Sequence, residues 1–175
     1  MAKFKIVTQQ MAAPVDHSYE MEALASIGAE IIEVSASSEN AFIAAAHDAD
    51  AIYCKSRLSK QVIDSLERCK VISLGSVGVD SVDVAAATAR GIPVTNVPDT
   101  FIEEVADHTM TMMLATWRRL VVQDRMARDG NWSKGRPALY QFPRLMGQTL
   151  GFIAFGHVAR AVATRARAFG FRMLA

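Results

Sequence analysis

The stretch from Thr149 to Gly170, TLGFIAFGHVARAVATRARAFG, decides the fold, because it reads as a strand, a tight turn and a helix in succession. Leu150 to Phe155 is a short apolar run with Phe152, Ile153 and Phe155, the pattern of a strand buried on both faces of a parallel sheet. Gly156 breaks it. From Val158 the apolar positions Val158, Val162, Ala166 and Phe169 fall at helical spacing, with Arg160, Thr164 and Arg167 on the opposite side. Gly170 is placed to end that helix in a left-handed conformation, and Phe171 to Ala175 start a second apolar run. Strand, glycine turn, helix and strand form the opening half of a mononucleotide-binding unit.

The chemistry of such a turn is anion binding. Amides at a helix start lack intrahelical partners and the helix dipole adds positive charge, so a diphosphate is stabilised where the backbone can approach it. In the pattern G-x-G-x-x-G/A the three key positions are Ala154, Gly156 and Ala159. Ala159 is an accepted variant, whereas Ala154 departs from the residue expected at the tight turn. On the residues alone, a strand-turn-helix with no ligand stays open. The acidic residue that would hold a ribose, about 20 positions on, falls just beyond Ala175.

Outward from this stretch, the 175 residues are 51% hydrophobic and 21% charged with a formal net charge of +1, which gives material for a core and no basic excess for nucleic acid. The uncharged run Thr109 to Trp117 is far shorter than a membrane span, and the N-terminus MAKFKIVTQQ turns polar before a signal core forms, so a cytoplasmic protein without a membrane partner is expected. Cys54 and Cys69 have neither metal-ligand nor disulfide spacing and are read as reduced packing residues; no metal site is expected.

Strands are predicted at Phe4–Thr8, Glu30–Val34, Ala51–Cys54, Val71–Leu74 and Ile92–Asn96, their starts 20 to 26 residues apart, enough for one helix per crossover. Asp16 or Ser18, then Ser38, Ser59 and Asp83, are candidate helix caps, and Gly28 and Gly91 are stops. Alternation of this kind specifies a parallel sheet with helices on both faces, so residues 1–98 read as one α/β domain. Thr100 and Glu103 form a T-x-x-E capping box for a helix running from Phe101 to about Arg128 without Pro or Gly, with apolar residues on more than one face and therefore buried on more than one side. Residues 99–148 are read as this helix and an irregular connection containing Gly135, Pro137, Pro143 and Gly147, and 149–175 as the beginning of a further domain.

Three segments in order, SLGSVGVDSVDVAAATARGIPVTNVP, EEVADHTMTMMLATWRR and GQTLGFIAFGHVARAVATRARAFGF, resemble the D-isomer-specific 2-hydroxyacid dehydrogenases, nearest the branch that includes the C-terminal-binding proteins. The resemblance implies a flavodoxin-like substrate domain, a long helix at the domain and dimer interface, and the start of a Rossmann domain near Thr149. It implies NAD as cofactor, with NADP not excluded, a small 2-hydroxy or 2-keto acid as substrate, and a homodimer. By that resemblance Ser76, Val77 and Gly78 match the loop whose amides bind the substrate carboxylate and approach the nicotinamide, and Lys55, Ser56 and Arg57 match the loop facing the substrate cleft. Gly156, His157 and Val158 match the amides that meet the diphosphate, and Thr109 matches a threonine near the nicotinamide. Bland alternatives stand beside these: an ordinary turn at Ser76, solvated charges at Lys55 and Arg57, a buried helical threonine at Thr109.

The reaction implied is hydride transfer between nicotinamide C4 and the substrate C2. The family's histidine, glutamate and arginine are expected beyond Ala175, which leaves the catalytic residues unassigned and makes a truncated, inactive form the expectation for these 175 residues. From another class, the alternative is an NAD(H)-sensing corepressor-like interaction protein.

Overall fold

The computed structural model describes residues 4–35, 37–135 and 141–175. They form two compact units, Met1–Thr100 and Phe101–Ala175.

The first unit is a five-stranded parallel sheet in the order β2-β1-β3-β4-β5. Its strands are β1 (Phe4–Gln9), β2 (Ala29–Val34), β3 (Ala51–Cys54), β4 (Val71–Leu74) and β5 (Val94–Thr95). This is the flavodoxin-like order, with its topological switch point between β1 and β3. Helices α1 (Ser18–Leu24), α2 (Glu39–Ala46), α3 (Lys60–Ser65) and α4 (Val84–Ala89) fill the crossovers. The Ser38, Ser59 and Asp83 side chains accept from the amides of Ala41, Val62 and Ala86, so all three caps operate. Asp16 accepts from the Ser18 amide just ahead of α1, whose cap position is His17. The core lies on one face of the sheet, where Val7, Ile52, Ile72 and Leu74 meet Phe42, Ala46, Val62, Ile63, Leu66, Ala86 and Ala87. On the opposite face α1 buries no residue of its own, and a cavity of about 400 Å3 lies among Ile6, Leu24, Ile31, Ala51 and Val71.

The second unit holds α5 (Ile102–Trp117), α6 (Leu120–Arg128), α7 (Trp132–Gly135), β6 (Thr149–Gly151), α8 (His157–Ala168) and β7 (Arg172–Leu174). Strands β6 and β7 pair in parallel. A small core joins Ala106 and Met110 of α5 to Val162 and Ala166 of α8, with Leu150, Phe152 and Met173 against it. Arg165 ties the same helices together, donating to Glu103 and Asp107 at 2.6 Å each.

Here the structure corrects four expectations. The helix from Phe101 is broken: Arg119 takes a left-handed conformation (φ 51°) and α6 starts afresh. Strain of about 1–2 kcal/mol at a non-glycine residue is offset by tertiary contacts, since the Arg119 guanidinium lies over the Phe142 ring and Trp117 Nε1 donates to the Pro143 carbonyl. Thr100 forms no capping box, because Phe101 holds the cap position and Glu103 is drawn to Arg165. The pair of helices does not bury more than one side: only Ala106 and Met110 of α5 are buried, and Leu120 and Val121 of α6 are exposed. Finally, β6 stops at Gly151 with an exposed-intermediate-exposed pattern, and Ile153 is fully exposed, because β7 is the one strand alongside it among the described residues. The connection Trp132 to Gln148 begins with the short helix α7, and its residues 136–140, including Pro137, lie outside the described residues.

Candidate functional site

In the first unit the loops after β3 and β4 emerge together at the carboxyl edge of the sheet. They are stitched by backbone bonds from Leu58 N to Ser81 O and from Asp83 N to Leu58 O. Ser76 Oγ donates to Gly78 O, and Asn96 Nδ2 donates to Val77 O, which fixes the turn. Among the described residues the amides of Ser76, Val77 and Gly78 have no hydrogen-bond partner, and all three residues are exposed. A run of exposed, unpaired amides is an anion-binding element that needs no charged side chain.

A cavity of about 240 Å3 brings Lys55 and Ser76 together, with Met11, Tyr53, Cys54, Gly75 and Ser81 as its other walls. Gly75 lies close against Tyr53, since a Cβ there would stand 3.0 Å from the Tyr53 hydroxyl and would need that side chain to shift. Ser56 and Arg57 turn elsewhere, into a separate cavity of about 410 Å3 at the β1/β3 switch point with Gln9, Gln10, Ser37, Ser38 and Glu39. The loop predicted as one substrate-facing trio is therefore divided. Val77 and Gly78 line neither cavity.

The Lys55 ammonium is sequestered rather than solvated: its side chain is only 11% exposed. It lies 3.2 Å from His17 Nε2, 3.9 Å from Glu33 Oε1 and 5.1 Å from the centre of the Tyr53 ring, while its amide donates to Gln9 Oε1. The parallel register explains the gathering. Glu33, Thr8 and Tyr53 are direct partners on β2, β1 and β3 and share one face, and Lys55 follows Tyr53 by two residues on that face. Burial, and then the adjacent Glu20 carboxylate, push the Tyr53 phenol up. Burial likewise pushes up the thiols of Cys54 and Cys69, both unpaired. His17, Glu33 and Tyr53 carried no motif; strand register aligns Glu33 with Tyr53, and the placement of α1 brings in His17 at its cap, neither of which shows in linear spacing.

In the second unit Gly156 caps α8 with φ −80°, a value open to any residue, and a Cβ on it would meet nothing within 4 Å. Neither backbone conformation nor packing explains a glycine there. His157 and Val158 begin the helix, and no side chain caps it. Ala154 sits at φ 69°, the left-handed region in which glycine is at ease and alanine is strained. Thr109 is exposed on α5 and its hydroxyl donates to Val105 O, so the buried reading of that threonine is corrected. Among the described residues no group of three His, Cys, Asp or Glu side chains is placed to hold a metal ion.

A family model described as "D-isomer specific 2-hydroxyacid dehydrogenase, catalytic domain" matches residues 7–169. A glyoxylate reductase of Thermococcus kodakarensis is 40% identical over 124 residues, 67% of this chain and 37% of that protein. A D-3-phosphoglycerate dehydrogenase of Methanocaldococcus jannaschii is 38% identical over 129 residues, 73% of this chain and 24% of that protein. The chain thus spans about a third or less of the length of these curated relatives. Among solved structures, a D-lactate dehydrogenase from Aquifex aeolicus complexed with NAD and lactic acid is similar with a TM-score of 0.79 and 28% identity, over 96% of this chain and 50% of that one.

Proposed function

The chain belongs to the D-isomer-specific 2-hydroxyacid dehydrogenase family, and from that premise we propose that the protein is an oxidoreductase moving a hydride between NAD(H) and a small 2-hydroxy or 2-keto acid. The observation that carries the cofactor half is Gly156, whose lack of a side chain is unexplained by the fold and suits close approach of a diphosphate. Gly156, His157 and Val158 would hold that group, and the bound nicotinamide supplies the hydride-transfer chemistry. The unpaired amides of Ser76, Val77 and Gly78 suit a substrate carboxylate, and Lys55 adds positive charge at the cavity that it shares with Ser76. In this reading Ser56 and Arg57 would support the substrate from the neighbouring cavity, and Thr109, exposed on α5, would contribute to the nicotinamide site.

The relatives named above are reductases and dehydrogenases, which favours an enzyme over the corepressor-like branch and its NAD(H)-sensing role. The reading extends to a homodimer formed through α5 and α6, whose Met112, Leu120, Val121 and Val122 are exposed. Unpaired cysteines suit a reducing cytoplasm, and among the described residues no helix is long and apolar enough to cross a membrane. The test follows NADH and NADPH absorbance with glyoxylate, hydroxypyruvate and pyruvate on the full-length protein. Substrate-dependent oxidation of NADH supports the enzyme; NADH binding without turnover on any of the three would favour the sensing role instead.

A further inference from the structure

The cluster around Lys55 contains a conflict that protonation resolves. His17 Nε2 lies 2.9 Å from Glu33 Oε1 and 3.2 Å from Lys55 Nζ. A ring nitrogen either carries a proton and donates, or has a lone pair and accepts. It therefore serves Glu33 as donor or Lys55 as acceptor, and never both. His17 Nδ1 is buried without a hydrogen-bond partner, and Glu20 Oε1, 3.7 Å away, stands just beyond bonding distance. The groups facing His17 are thus Glu20 from α1, Glu33 from β2, and Tyr53 and Lys55 from β3 and the loop after it, with the Tyr53 ring edge-on at 6.2 Å.

When His17 is neutral with its lone pair on Nε2, the Lys55 ammonium has an acceptor and stays packed over Tyr53. When the ring is protonated, Nε2–H is committed to Glu33 and Nδ1–H faces Glu20. Lys55 then loses its hydrogen-bond acceptor, keeps Glu33 Oε1 only at 3.9 Å, and stands 3.2 Å from a second cation, an arrangement disfavoured in a partly desolvated site. The nearest way out is the 240 Å3 cavity that Lys55 already lines with Gly75, Ser76 and Ser81. We propose that His17 and Glu33 are positioning residues for Lys55, and that protonation of His17 releases the Lys55 ammonium into this cavity and strengthens binding of a carboxylate there. This rests on reading the cavity as the acid-binding site; the coupling among His17, Glu33 and Lys55 does not.

The test is a pH titration by NMR of the full-length protein, following the His17 ring and the Lys55 ε-methylene, with sodium glyoxylate as probe. Glyoxylate remains ionised throughout the range in which imidazoles change charge. The Lys55 signal is expected to shift with the His17 ring, and the glyoxylate Kd to be at least about three-fold lower at about pH 5.5 than at about pH 8. In H17Q the pH dependence should vanish while binding persists, and E33Q, a gentler change, should weaken the coupling if H17Q does not fold. A Lys55 signal that stays flat across the His17 titration, or a Kd equal at both pH values, overturns the inference and leaves the cavity reading intact. Coupled His17 and Lys55 signals without any response to glyoxylate would instead defeat the cavity reading, and the proposed consequence for binding with it.

Discussion

The two units differ in how completely their sequence pattern is satisfied. In the first, three crossover helices have working caps and sixteen buried residues close over one sheet face. In the second, four buried residues join α5 to α8 over a two-stranded sheet, with left-handed strain at Arg119 and Ala154. Burial of apolar area is the main stabilising term, so the lesson is that the first unit is held by its core, whereas the second relies on a few tertiary contacts that hold strained backbone in place.

The largest effect should come from the first core. Ile63→Ala is expected to cost about 2–5 kcal/mol, read as a lower urea midpoint by circular dichroism. Both tryptophans, Trp117 and Trp132, lie in the second unit, so their fluorescence reports on that unit. Tryptophan fluorescence should change at lower urea than the circular dichroism signal, and a single coincident transition would erase the contrast.

Next comes Ala154→Gly, which relieves the φ 69° strain and should stabilise the second unit by about 1 kcal/mol. A loss of stability would mean that the turn does not hold that conformation. Asp83→Ala removes the α4 cap and should cost about 1 kcal/mol in the first unit.

A smaller effect concerns alkaline pH. Burial raises the folded pKa of Cys54 and Cys69, so the unfolded thiols release protons first. The stability of the first unit should therefore fall as pH rises above about 8.5, and this slope should flatten in the Cys54→Ala, Cys69→Ala double variant. Smallest of all, Arg165→Met should lower the melting temperature of the second unit slightly, and less at high salt, because the Glu103 and Asp107 carboxylates it pairs with are largely exposed.

Much of the first unit was legible in the sequence. Ala51–Cys54 and Val71–Leu74 form the strands read from their apolar runs, and Ser38, Ser59 and Asp83 cap as their side-chain chemistry requires. The second unit was less so. No Gly or Pro marks the break at Arg119, which is set by contacts to residues some twenty positions downstream. The run at Leu150 to Phe155 has the composition of a buried strand, yet a strand is buried only where neighbours cover it. At the site, Lys55 and Ser76 were found through their loops, whereas His17, Glu33 and Tyr53 converge through parallel register and the placement of α1.

The reading of the second unit rests on Gly156 being reserved for a ligand, and calorimetry with NADH on the full-length protein and on Gly156→Leu tests it most directly. The account predicts that the leucine variant keeps its fold and its amide spectrum, since nothing lies within 4 Å of the added Cβ, and loses affinity by about ten-fold or more. Equal NADH binding by the two proteins, or no binding by either, would contradict it.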